Sequence, residues 1–223
     1  MSMFNLGGVK DARVVSTNYL KPGIHQVVFK GIQKAEMSDA TINAIELQFE
    51  AVDGSGIHNE RLFEPRSTER VPNRFNPSNE DPSQAEQFMV KIKQVIEALD
   101  PELGKQINEN GEKFSAPDFN GFLKLLKKYL DPKVGTKTYI KLVPNGRYAG
   151  FPGFPARCSK DGGLIITTTF IGENLVLSSY EKTQIDNALT AKPTPMGTKN
   201  ELDDLKEAFP SVDSGDDSDD LPF

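Results

Sequence analysis

The sequence predicts a mainly β protein: antiparallel strands, one helical interruption, and an acidic, disordered C-terminal segment. Three observations predict it. In residues 43–52 (NAIELQFEAV), Ile45, Leu47, Phe49 and Ala51 alternate with Glu46, Gln48 and Glu50, the pattern of a half-buried antiparallel strand. Apolar residues at helical spacing fall in a middle stretch, about 66–135, and in one short segment near 178–189, with a transient helical turn also open to Glu201–Phe209. The net charge of −6 is also unevenly divided. From Asn200 onward nine acids face one base, which leaves 25 bases against 23 acids in residues 1–199.

Taken in order, residues 1–22 read as an arm ending at Pro22-Gly23. GIHQVVFKGIQK, Gly23 to Lys34, is rich in β-branched and aromatic residues and reads as a strand. Ser38 to Thr41 is a turn, and Asp53-Gly54 supports a hairpin from the alternating strand into IHNERLFEP. Arg66 to Gln84 carries three prolines and reads as a long loop. Ser83 and Glu86 have capping-box spacing before a helix that places Phe88, Ile92, Val95, Ile96 and Leu99 on one face. Pro101 ends or kinks that helix. A second helix, Asp118 to Leu130, turns Phe119, Phe122, Leu123, Leu126 and Leu130 inward and Lys124, Lys127 and Lys128 outward. TKTYIKLV, Thr136 to Val143, resumes the strands, with a turn signal at Asn145-Gly146. RYAGFPGFPARCSK reads as a long loop or ragged hairpin, GLIITTTFI as a strand, and Ser178 to Leu189 as a helix with a second capping box, Ser178 and Glu181. Pro, Thr, Gly and acids dominate from Ala191, the composition of a disordered tail. About five strands around one helical insertion suit an OB-fold-like antiparallel barrel over residues 23–190; a β-sandwich fits nearly as well.

Composition narrows the function. No stretch approaches the ~18 apolar residues that span a bilayer, and MSMFNLGGVK lacks the apolar block of a signal peptide, so no membrane partner is expected. The one cysteine, Cys158, suits a reducing cytoplasm. With His25 and His58 it makes too small a soft-ligand set for the usual zinc site, and no metal or other cofactor is expected. No phosphate-cradling loop, zinc spacing or nucleophile elbow is present, so an enzyme is not expected.

The informative pattern is cations interleaved with aromatics. With Ile140 and Leu142 inward, Lys137, Tyr139 and Lys141 share the opposite face of one strand. Lysines there can meet phosphates while the ring stacks on a base. Arg147, Tyr148, Phe151, Phe154, Arg157 and Lys160 continue the theme, although Phe151 and Phe154 are equally suited to plugging the end of a barrel. A third cluster, Arg61, Phe63, Arg66, Arg70, Arg74 and Phe75, suits a flap closing on a phosphate backbone, diluted by Glu60, Glu64 and Glu69. None of these arrangements reads base edges; backbone tracking plus stacking is sequence-tolerant.

The chain ends DDSDDLPF. A basic-aromatic β body, a linker, and this tip resemble the single-stranded DNA-binding proteins of bacteria and their phages. Asp216, Asp217, Asp219, Asp220, Leu221, Pro222 and Phe223 match the family's tip residue by residue. The lack of tryptophan and the helical insertion point to a divergent phage-encoded member. The resemblance implies an OB-fold body that binds single-stranded DNA in replication, recombination and repair. It implies a tail that recruits partner proteins of those processes, and residence in the host bacterial cytoplasm. A ring in an apolar pocket and acids on a basic rim account for such docking. Self-association is compatible with the sequence. Rival classes are an interaction or assembly protein whose tail confers solubility, which would not bind single strands, and a nuclease, which would need a divalent metal. A strand-annealing recombination factor is a variant of the leading reading.

Overall fold

The computed structural model describes residues 18–74, 76, 79–145 and 148–190. β1 (Gly23–Lys34) pairs antiparallel with β2 (Ala44–Ala51), and β2 with β3 (Ile57–Phe63). The β1–β2 register slips between Phe29 and Gly31, where Gly31 has φ +143°, a region favouring glycine. The resulting bulge bends the longest strand of the sheet. Beyond β3 lie a two-residue ladder, β4 (Val71–Pro72) with β5 (Glu80–Asp81), and then helices α1 (Gln84–Leu99), α2 (Pro101–Glu109) and α3 (Phe119–Leu130). β6 (Lys137–Asn145) returns to pair with the free edge of β1, and β7 (Tyr148–Gly150) pairs with β6. A separate hairpin joins β8 (Ala156–Cys158) to β9 (Leu164–Ile166), and α4 (Ser179–Thr190) follows.

The main sheet has the order β3-β2-β1-β6-β7. It is open: no backbone ladder joins β7 to β3, so the closed barrel expected from the sequence is not formed. The chain gives a reason. β7 is three residues long and runs into Phe151-Pro152-Gly153-Phe154-Pro155, where two prolines lack the N–H a ladder needs. In place of a ladder, the Phe151 N–H donates to Glu60 Oε2 at 3.0 Å, and Glu60 also meets His58 Nε2 at 2.9 Å.

Both predicted capping boxes form. Glu86 N–H donates to Ser83 Oγ and Ser83 N–H to Glu86 Oε2; Ser178 and Glu181 repeat the pattern. Pro101 does not kink α1 but opens α2, with the Asp100 side chain accepting from the Leu103 N–H. The apolar faces of α1 and α3 enter the same core as the sheet. Phe88, Ile92, Val95, Leu99, Leu123 and Leu130 pack in one cluster with Val27, Phe29, Leu47, Phe49, Ile140 and Leu142. The helices are therefore part of the fold's single core. The strand expected over residues 163–171 is divided. Only Leu164–Ile166 pair in β9; Phe170 to Gly172 run beside β6, with Lys141 N–H donating to Phe170 O and Gly172 N–H to Tyr139 O. The arm's end also joins the sheet, since Leu20 N–H donates to Ile57 O and Leu20 is buried. Residues 1–17 and the tail expected to be disordered, residues 191–223, lie outside the described residues.

Candidate nucleic-acid interface

β6 alternates as its sequence requires at first. Thr138, Ile140 and Leu142 are buried, while Lys137 and Tyr139 (39% exposed) face outward beside Val28 and Gln26 of β1. Lys141 departs from the expected cation–ring–cation face. It points the same way but is only 3% exposed. Its ammonium donates to Val176 O at 3.2 Å and pairs with Glu181 Oε1 at 2.8 Å. Burial acts to raise the Glu181 carboxyl, but hydrogen bonds from Lys141 and Ser178 outweigh it and hold the group below its ordinary value. Lys141 therefore anchors the start of α4 and is unavailable to a phosphate.

The β6–β7 register opposes Tyr148 to Asn145, so Tyr148 shares the outward face of Tyr139. Six residues of strand separate Asn145 from Tyr139, roughly 20 Å. The segment over Lys141 lies between, dividing the face into two patches. Tyr148 leaves 76% of its surface in solvent.

The loop after β7 sorts its two phenylalanines. Phe151 is 3% exposed, with its ring centroid 4.4 Å from that of Phe170 and 6.0 Å from that of Phe49; this is the barrel-plug alternative, and it removes Phe151 from the stacking set. Phe154 is 82% exposed. Arg157 on β8 and Lys160 beyond it are exposed, and neither makes an ion pair among the described residues. The sequence reading missed what holds this loop. Gln87 of α1 donates from Nε2 to Ala156 O and accepts from the Ala156 N–H. Gln94, two turns on, donates to Thr168 O and accepts from the Phe170 N–H. Two buried glutamines seven residues apart, on an otherwise apolar helix face, were the available signal. Lys91 lies between them. Burial pushes its ammonium below the ordinary lysine value, and the Glu60 charge opposes that shift.

The arginine cluster is largely engaged. Arg61 Nε donates to the buried Glu46 carboxylate at 3.1 Å, and Gln33 and Gln48 donate to its other oxygen. Arg70 also departs from the expected open flap. It donates to both Glu86 oxygens and to Gly162 O, and lies 3.9 Å from Glu80. The arginine's hydrogen bonds are the main reason Glu86 falls to about 2. Arg70 therefore stitches the β8–β9 turn to α1 and cannot serve a closing flap. Arg66 and Arg74 are exposed without an ion pair among the described residues, and Phe63 is exposed on β3. Phe75, Arg147 and the tip residues Asp216, Asp217, Asp219, Asp220, Leu221, Pro222 and Phe223 lie outside the described residues.

What remains in solvent is a set of rings (Tyr139, Tyr148, Phe154, Phe63) and a set of cations (Lys137, Arg157, Lys160, Arg66, Arg74) that make no ion pair among the described residues. Such a surface can stack bases and neutralise phosphates. Among the described residues no group of three or more His, Cys, Asp or Glu is placed to hold a metal, and no helix is long and apolar enough to cross a membrane. In comparison with known proteins, the chain matches no family model and no curated protein.

Proposed function

We propose that the protein binds single-stranded DNA without sequence preference, as a non-catalytic, divergent phage-type member of the single-stranded DNA-binding proteins. The observation that carries this reading is the exposure of Tyr148 on β7 and of Phe154 in the loop that follows, with Arg157 and Lys160 nearby in the chain. A large ring left in water beside cations gains from a base; by substitution such stacking is worth ~1–3 kcal/mol per base. The body is read as OB-fold-like. The order β3-β2-β1-β6-β7, with helices between β3 and β6, supports a partly open barrel of that kind. The DDSDDLPF sequence supports recruitment of replication, recombination and repair proteins, and work in a bacterial cytoplasm.

Anisotropy of a labelled oligo-dT tests the proposal, with a duplex of equal length as control. Full-length protein is expected to bind the single strand tightly and the duplex weakly. Replacing both Tyr148 and Phe154 by Ala should weaken binding by tenfold or more. Equal affinity for duplex and single strand, or none for either, would overturn the reading.

A further inference from the structure

Tyr148 and Phe154, the rings that carry the single-strand reading, sit on one short stretch of chain with Phe151 midway between them. At its start, three residue pairs join β7 to β6: Val143 with Gly150, Pro144 with Ala149 and Asn145 with Tyr148. At its end, Gln87 donates to Ala156 O and accepts from the Ala156 N–H. Between these points Pro152 and Pro155 lack the N–H for a ladder. The backbone hydrogen bond in the middle goes to a side chain, Glu60 of β3. Its Oε2 accepts from the Phe151 N–H at 3.0 Å and lies 2.9 Å from His58 Nε2. A Cβ added at Gly150 would lie 3.4 Å from the same oxygen, so the backbone passes close over the carboxylate.

Glu60 is 9% exposed and His58 5%. A buried carboxylate is costly unless its lone pairs and charge are met. Among the described residues no lysine or arginine pairs directly with Glu60. Its donors are the Phe151 N–H and the His58 ring, and its charge also reaches the ammonium of Lys91 on α1. A carboxylate only accepts, so His58 Nε2 is the donor in that pair. The His58 ring in turn packs on Phe151, with centroids 5.6 Å apart. Replacing a buried charge by an apolar side chain of similar size is often neutral or stabilising, so stability alone does not account for a glutamate here. What the carboxylate adds is a fixed place for the Phe151 backbone, and with it for the ring on either side.

We propose that Glu60 is a positioning residue for single-strand binding, a clasp across the open seam between β3 and β7 that holds Tyr148 and Phe154 in the arrangement the strand meets. This rests on the single-strand reading above. Glu60 touches no DNA itself. It acts by ordering the two rings before the strand arrives, so that binding does not bear the cost of ordering them.

The test titrates labelled oligo-dT with the full chain and two variants, each first shown to fold by urea unfolding. Glu60→Met fills the same space without an acceptor, and Glu60→Gln keeps an acceptor oxygen without the charge. Glu60→Met should weaken binding by about tenfold, the cost of ordering two rings. Glu60→Gln should recover most of that loss. In a chain already carrying Tyr148→Ala and Phe154→Ala, Glu60→Met should cost nothing further, because the rings it acts through are gone. Hydrogen exchange of the unaltered chain, resolved to single amides, needs no variant to fold: the Phe151 amide should be protected. Four results would overturn the clasp and leave the single-strand reading standing: undiminished affinity in Glu60→Met, no recovery in Glu60→Gln, an equal loss in both backgrounds, or a Phe151 amide exchanging as fast as an open loop. Failure of the full chain to bind oligo-dT would overturn both.

Discussion

Gly150-Phe151-Pro152 and Gly153-Phe154-Pro155 are the same triplet twice, yet the first ring is buried and the second stands in water. The difference comes from neighbours distant in sequence. Phe151 meets Phe49, His58 and Phe170, and its N–H is held by Glu60; among the described residues Phe154 meets no comparable ring. Opposite consequences follow on substitution. Phe151→Ala should cost about 3–5 kcal/mol in urea unfolding, the range for a large ring removed from a core. Phe154→Ala should stay within about 0.5 kcal/mol of wild type, as surface changes do, yet weaken oligo-dT binding. A Phe154→Ala chain as unstable as Phe151→Ala would mean that both rings are core. Lys137 and Lys141 make a similar pair: one strand and one face, but only Lys141 is covered and ion-paired.

At the scale of elements, α1 organises the proposed binding surface. Its N-terminus is capped by Ser83 and Glu86, and the same Glu86 carboxylate receives Arg70, which reaches on to Gly162. Further along, Gln87 and Gln94 take the place of strand partners for the backbone at Ala156, Thr168 and Phe170. The Glu86 carboxyl lies at about 2, against 4.5 for an ordinary glutamate. Between those values the unfolded chain binds the extra proton. The contribution of Glu86 is therefore complete above about pH 4.5 and is lost as pH falls toward 2. Urea unfolding of wild type and Glu86→Gln from pH 6 down to pH 2.5 should show wild type more stable at the top and the gap closing at the bottom. A gap that stays constant across that range would refute the role assigned to the ion pair.

Across the whole molecule, charge is the organising quantity. Residues 1–199 carry 25 bases and 23 acids, and the nine acids beyond them face one base. If the protein binds DNA as proposed, a polyanionic segment on the same chain would compete with it for cationic sites, and screening would weaken that competition as salt rises. A chain ending at Lys199 should bind oligo-dT more tightly than the full chain at low salt, with the gain shrinking at moderate salt. Identical titrations at low salt would remove any competing role for the tail.

Much of this protein was legible in local pattern. The alternation of residues 45–51 set β2, Ser83 with Glu86 and Ser178 with Glu181 marked two helix starts, and the apolar faces of α1 and α3 are those their spacing announces. These are properties of a few successive residues, and backbone periodicity alone determines them. Periodicity says which way a side chain points; it does not say what lies there. Only the tertiary structure covered Lys141 with Val176 and Glu181, drew Phe151 into the core, joined Arg70 to Gly162, and left β7 unpaired with β3. Each of those outcomes depends on segments far apart in the chain meeting, and on the desolvation and hydrogen bonding that follow when they do.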